Sequence, residues 1–187
     1  MRIPGFDHIA IAARSLDEGA AWLADRLGVA PEPGGKHPLM GTHNMLLSLG
    51  SGEYLELIAV DPEAPVPARP RWFGLDGFDG PPRLAGWVMR QSPLQPIPGT
   101  TVSQASRGDL RWQITLPNAG QMPQDGAQPM RIDWGGGAHP SDRLPDRGLR
   151  LTRLTLPLDR MPLDDPRIVP GAAFAAVIAT PDGEVAL

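Results

Sequence analysis

The chain has 187 residues, enough for one well-filled core or for two small modules sharing one. A net charge of −4 leaves no basic field to hold nucleic acid or an anionic membrane surface. With no cysteine there is no disulfide, no thiolate nucleophile and no cysteine-ligated zinc or iron–sulfur centre.

Residues 6–13 read as a strand, with Ile9 and Ile11 on one face and His8, Ala10 and Ala12 on the other. The small alanines leave space beside His8. Ser15-Leu16-Asp17-Glu18 predicts a capping box, in which Ser15 accepts from the third helical amide and Glu18 reaches back. The helix that follows buries Ala20, Leu23, Ala24 and Leu27, and Gly28 ends it. Pro31 to Pro38 is expected to be turn-rich, with a short strand near His37 to Met40. Gly41 to Leu49 reads as a strand, Gly50-Ser51-Gly52 as a tight turn and residues 53–60 as the next strand. Alternation there sets Tyr54, Glu56 and Ile58 on one face and Leu55, Leu57 and Ala59 on the other. The order is β-α-β-β-β.

Residues 62–82 form a proline-punctuated connector whose Trp72, Phe73, Leu75 and Phe78 must pack somewhere. Further strands are expected at Leu84–Arg90, Leu110–Leu116 and Pro129–Gly135. Pro93, Pro96, Pro98 and Gly99 argue against a helix between the first two. The pattern looks like the first module repeated, with its crossover helix shortened or lost. Leu149–Leu158 is strand-like, Asp164–Val169 is expected to make one helical turn, and Phe174–Thr180 pairs with Glu184–Leu187 across a Pro181-Asp182-Gly183 turn. The expected architecture is one α+β domain: module one at 5–61, connector at 62–82, a degenerate module two at 83–148 and a C-terminal strand extension at 149–187.

Asp7-His8-Ile9-Ala10-Ile11-Ala12, the helix after Ser15, Gly34-Gly35-Lys36-His37-Pro38, Gly41-Thr42-His43-Asn44 and Tyr54-Leu55-Glu56-Leu57-Ile58 together resemble the glyoxalase-like branch of the vicinal-oxygen-chelate superfamily. The resemblance implies paired βαβββ modules forming a curved mixed sheet around a cup. It also implies a divalent metal (Zn, Ni, Mn or Fe) bound by residues on the first and last strands of each module. By position His8 and Glu56 match the ligands of module one. In module two the counterpart of His8 falls near Gly86, which cannot ligate. Near the counterpart of Glu56 lie Arg131 and Asp133, and six residues on stands His139.

The expected metal ligands are therefore His8, Glu56 and His139, with Glu56 or His37 moving a proton and Asn44, Asp133 and Arg131 binding substrate. The ordinary alternatives are a hydrogen bond between His8 and Glu56 across a polar cavity, and an Arg131–Asp133 ion pair. Pro38 and Pro140 hold His37 and His139 extended, and the amides of Gly135-Gly136-Gly137 offer an anion site. Two functions are expected: metal-dependent lyase, isomerase or dioxygenase chemistry on a small oxygenated metabolite, or metal-free sequestration of such a ligand in the same cup. The cup closes either within one chain or across a homodimer. No nucleophile elbow, phosphate loop or dinucleotide fingerprint is present. No apolar run approaches the roughly 18–20 residues of a membrane span, and Asp7 and His8 interrupt any leader-like stretch, so a cytoplasmic location is expected.

Overall fold

A computed structural model describes residues 2–95 and 97–187, apart from the side chains of residues 2 and 3. The first module is β1 (Arg2–Ala12), α1 (Leu16–Leu27), β2 (Glu32–His37), β3 (Thr42–Ser48) and β4 (Tyr54–Val60). The second is β5 (Arg83–Ser92), β6 (Thr100–Arg107), β7 (Leu110–Pro117) and β8 (Met130–Asp133). All eight strands make one mixed sheet in the order β2-β3-β4-β1-β5-β8-β7-β6. The order is a palindrome about the antiparallel β1·β5 seam, and β1·β4 and β5·β8 are both parallel. The two modules are thus the same four-strand unit, as the sequence pattern predicts.

Helix α1 begins at Ser15, whose Oγ accepts from the Glu18 amide, and ends at Gly28 in the left-handed region. The reciprocal half of the expected capping box is not made. The Glu18 carboxylate turns instead to the Arg14 guanidinium, a full charge that outcompetes a backbone amide. Gly19 is the buried residue at the centre of the packed face, rather than Ala20 or Ala24. A Cβ there would lie 2.2 Å from Leu57 Cδ1 and 2.9 Å from Ala13 Cβ, so glycine lets the helix approach β4. Gly19→Ala is expected to destabilise the protein by about 1–3 kcal/mol through overpacking, read from the urea midpoint at unchanged slope.

Three local expectations are corrected. Glu32–His37 is a strand, tolerated despite Pro33 because it lies at the sheet edge, and residues 38–41 are a turn. Thr100–Arg107 is also a strand, hidden in the sequence because its edge position leaves it polar. Residues 164–167 form no helix; they lead into β10 (Ile168–Pro170). No helix occurs among the described residues between β5 and β6; Pro96, one of the prolines invoked there, lies outside the described residues.

The C-terminal segment builds a second sheet, in the order β10-β9-β11-β12, from β9 (Arg150–Leu156), β10, β11 (Ala175–Thr180) and β12 (Gly183–Ala186). Leu151, Leu154, Leu156 and Ile178 join α1's Leu23 and Leu27, and Ile9, Leu57, Trp87 and Met89 of the large sheet, in one core. The small sheet therefore covers the outer face that module two's missing helix leaves bare. On the inner face Ala10, Ile58, Val88, Trp112, Met130 and Ile132 make a second apolar cluster with Trp72 and Phe73 of the connector. The connector crosses the mouth as a short 3-10 segment, Trp72–Gly77, with Phe73 at φ 56°, a conformation that non-glycine residues adopt at a cost.

Candidate functional site

On the inner face four adjacent strands of module one bring polar side chains into line. His8 on β1, Glu56 on β4, Asn44 on β3 and His37 on β2 are all buried there. Glu56 lies between the two imidazoles, its Oε2 3.6 Å from His8 Nε2 and its Oε1 3.8 Å from His37 Nε2. Asn44 Nδ2 donates to Glu56 Oε1 at 2.6 Å, and the Gly35 amide donates to Asn44 Oδ1 at 2.9 Å, which fixes the orientation of the amide. A Cβ at Gly34 would lie 2.1 Å from Asn44 Oδ1, so the Gly34-Gly35 pair lets β2 close over Asn44. Asn44 Nδ2 also faces His37 Nε2 at 3.4 Å, while His37 Nδ1 meets Thr42 Oγ1 at 3.1 Å. This assigns the lone pair of His37 to Nε2, toward the Asn44 amide.

Behind His8 stands a residue to which the sequence pattern gave no role. The β1·β5 register shifts between Phe6 and His8, placing a β-bulge at Asp7. The bulge turns Asp7 to the side of its neighbour, and its fully buried Oδ1 meets His8 Nδ1 at 2.7 Å. Oδ2 accepts from Trp134 Nε1 at 3.1 Å and from His139 Nε2 at 3.2 Å. His139 Nδ1 accepts from the Ser141 amide, which leaves Nε2 as the donor. Strand alternation alone would have sent Asp7 to the opposite face.

Burial pushes the Glu56 carboxyl up, but the His8 hydrogen bond, the two imidazoles and Asn44 outweigh it and hold it at about 2. Burial pulls His8 down, and its hydrogen bonds to the Asp7 and Glu56 carboxylates reverse this, raising it above an ordinary histidine. His37 has no such support. Burial, with Arg107 and His8 adding to it against Glu56, brings it to about 4. These surroundings favour the charged form of His8, the carboxylate of Glu56 and the neutral form of His37.

The other expected site residues lie elsewhere. Arg131 and Asp133 leave the outer face of β8, because Met130 and Ile132 are the residues of that strand that line the cup. Arg131 Nη1 donates to Gln91 and Asp133 accepts from the Gly135 amide, so the expected pair between them is not made. The Gly135 and Gly137 amides are spent on local turns rather than open to an anion. His139 reaches Asp7 and stands behind His8, away from Glu56.

These positions bear on the metal that the resemblance implies. Exchange of β1 and β5 across their seam maps the pair His8↔Val88 onto Gly86↔Ala10. The parallel pairs Ala10↔Glu56 and Val88↔Met130 then make Met130 the counterpart of Glu56. Module two thus offers a glycine and a thioether where module one has an imidazole and a carboxylate. The two imidazole nitrogens face different oxygens of one carboxylate, and one of those oxygens already holds Asn44. Among the described residues no three of His, Cys, Asp and Glu are arranged to hold an ion. The residues do not fit the four-ligand site.

Trp72, Phe73, Trp112, Ile114 and Trp134 wall the cup, and the free space within it is about 20 Å³, one water-sized volume. No helix among the described residues is long and apolar enough to cross a membrane.

Residues 6–161 match the family model of the glyoxalase-like domain. The chain belongs to this family, and with it to the vicinal-oxygen-chelate superfamily. Among solved structures it is similar to a hypothetical protein from Staphylococcus aureus (13% identity, 98% of this chain and 84% of that one, TM-score 0.52). It also matches methylmalonyl-CoA epimerase from Mycobacterium tuberculosis (24% identity, 68% and 85%, TM-score 0.44). A third match is a methylmalonyl-CoA epimerase in complex with methylmalonyl-CoA and NH4+ (16% identity, 74% and 100%, TM-score 0.47). No curated protein matches the chain.

Proposed function

We propose that the cup binds a small oxygenated metabolite and moves a proton on it without a metal ion. The observation that carries this is the convergence of two imidazole nitrogens on the Glu56 carboxylate inside one walled cavity. A protonated His8 supplies what a Lewis acid would, an N–H aimed at a carbonyl oxygen on which negative charge develops. The lone pair on His37 Nε2 takes the proton alpha to that carbonyl. The C–H electrons become the enolate double bond, and return of the proton to the alpha carbon gives back substrate or its epimer. Where that carbon bears a hydroxyl whose proton passes to the enolate oxygen, return to the former carbonyl carbon gives the isomeric hydroxy-carbonyl compound. Asp7 keeps His8 charged and its Nε2 turned inward. A free volume of about 20 Å³ means that side chains lining the cup shift to admit any such ligand.

The test follows deuterium incorporation into pyruvate and hydroxyacetone in D2O by proton NMR. Exchange above background that is lost in His37→Gln and in His8→Gln is expected, and dialysis against EDTA should leave it unchanged. Activity that EDTA removes and Zn, Ni, Mn or Fe(II) restores would overturn the metal-free reading.

The second reading is sequestration without turnover. It draws on the weak basicity of the two proton acceptors, at about 2 for Glu56 and about 4 for His37. Ligand binding by thermal shift with no exchange at any pH would favour it.

A further inference from the structure

Three donor side chains around the cup have no hydrogen-bond partner among the described residues. The indole N–H groups of Trp72 and Trp112 are buried and meet no acceptor in the structure, and both residues line the cavity. Most buried polar groups are paired, so two orphans facing one space call for an explanation. The third is Arg107, the last residue of β6 and 7% exposed. Among the described residues no carboxylate forms an ion pair with it; every other arginine that reaches into the large sheet's buried layer is paired or hydrogen-bonded, as Arg71 is to Asp76 and Arg90 to Gly52 and Phe6. Its stem crosses from β6 to β2 against Gly35, where a Cβ would stand 2.8 Å from Arg107 Cγ. Arg107 lines both the cup and the groove outside it.

We infer that Arg107, Trp72 and Trp112 form an anion subsite that takes the carboxylate of a small oxo- or hydroxy-acid. A carboxylate has acceptor positions enough for a guanidinium edge and two indole N–H groups, and it supplies the ion-pair partner that Arg107 lacks. The ring of His37 stands edge-on to both indoles, with centroids 5.1 Å from Trp72 and 6.1 Å from Trp112. An acid anchored by these groups therefore sets its alpha carbon beside the base. The subsite deepens the proton-transfer reading by naming its substrate class, and it is testable apart from turnover.

The experiment titrates protein labelled with 15N at tryptophan with pyruvate, neutral hydroxyacetone and inorganic phosphate, following the indole N–H signals assigned from single Trp→Phe variants. Pyruvate is expected to move the Trp72 and Trp112 signals while that of Trp22, on helix α1, stays still. Arg107→Gln should weaken pyruvate at least tenfold and leave hydroxyacetone unchanged, and Arg107→Lys should fall between. Equal affinity for pyruvate and hydroxyacetone overturns the subsite, as does tighter binding of phosphate or an Arg107→Lys protein, folded by circular dichroism, that binds pyruvate like the parent. Arg107-dependent pyruvate binding without deuterium exchange would remove the proton-transfer reading and leave the subsite standing.

Discussion

Asp7→Asn is expected to cost about 3–5 kcal/mol of stability, the loss that follows when one partner of a buried charge pair is removed. Asp7 has no exposure, and its two oxygens receive His8, Trp134 and His139. An asparagine keeps one acceptor and turns an NH2 group toward donors, so at least one of the three is orphaned. The protonated His8 loses the neighbour that holds its charge. Urea denaturation at pH 7 measures the cost. Asp133→Asn is the control, because its only recorded bond, from the Gly135 amide to Oδ1, survives in asparagine; it should stay within about 0.5 kcal/mol. A cost below 1 kcal/mol for Asp7→Asn would mean that the bulge and not the charge organises the site.

Stability should peak near pH 6.5, because two histidines against one carboxylate are shifted in opposite directions. His37 titrates at about 4 when folded and near 6.5 when unfolded. As pH falls from 6.5 to 4 the unfolded chain takes up a proton that the folded one refuses. About 3 kcal/mol is lost in that window. His8 is raised on folding, so its contribution is complete below pH 6.5 and fades as pH climbs through its folded value. Glu56, at about 2 when folded, adds a separate loss below pH 4.5. His37→Gln should flatten the profile between pH 4.5 and 6.5 while leaving the alkaline side intact. Chemical denaturation at half-unit pH steps reads this directly, and a parent profile flat across 4.5–6.5 would contradict it.

Much of this was legible in the chain. The parity of β1 and β4 placed His8 and Glu56 on the inner face because both strands alternate clearly. Parity failed at two points, for different physical reasons. Arg131 and Asp133 were assigned by spacing from module one, and β8 is too short to show that Met130 and Ile132 take the inner positions. Asp7 carried no assignment, because alternation sets it opposite His8 and no periodicity reveals the one-residue bulge that brings it round. Strand β6 carries Ser, Thr and Gln at a sheet edge, so no apolar alternation announces it, and its terminal Arg107 went unnoticed. The unsatisfied indoles of Trp72 and Trp112 are facts of tertiary packing: the same side chains read as ordinary core in one dimension.

The palindromic strand order has a stereochemical consequence. Its symmetry is in the backbone alone, since the imidazoles and the carboxylate come from one half, and Arg107 with the apolar wall of Met130, Ile132 and Trp134 from the other. For the acid proposed above the two halves are therefore not interchangeable, and a prochiral carbon bound there would present one face to the His37 imidazole.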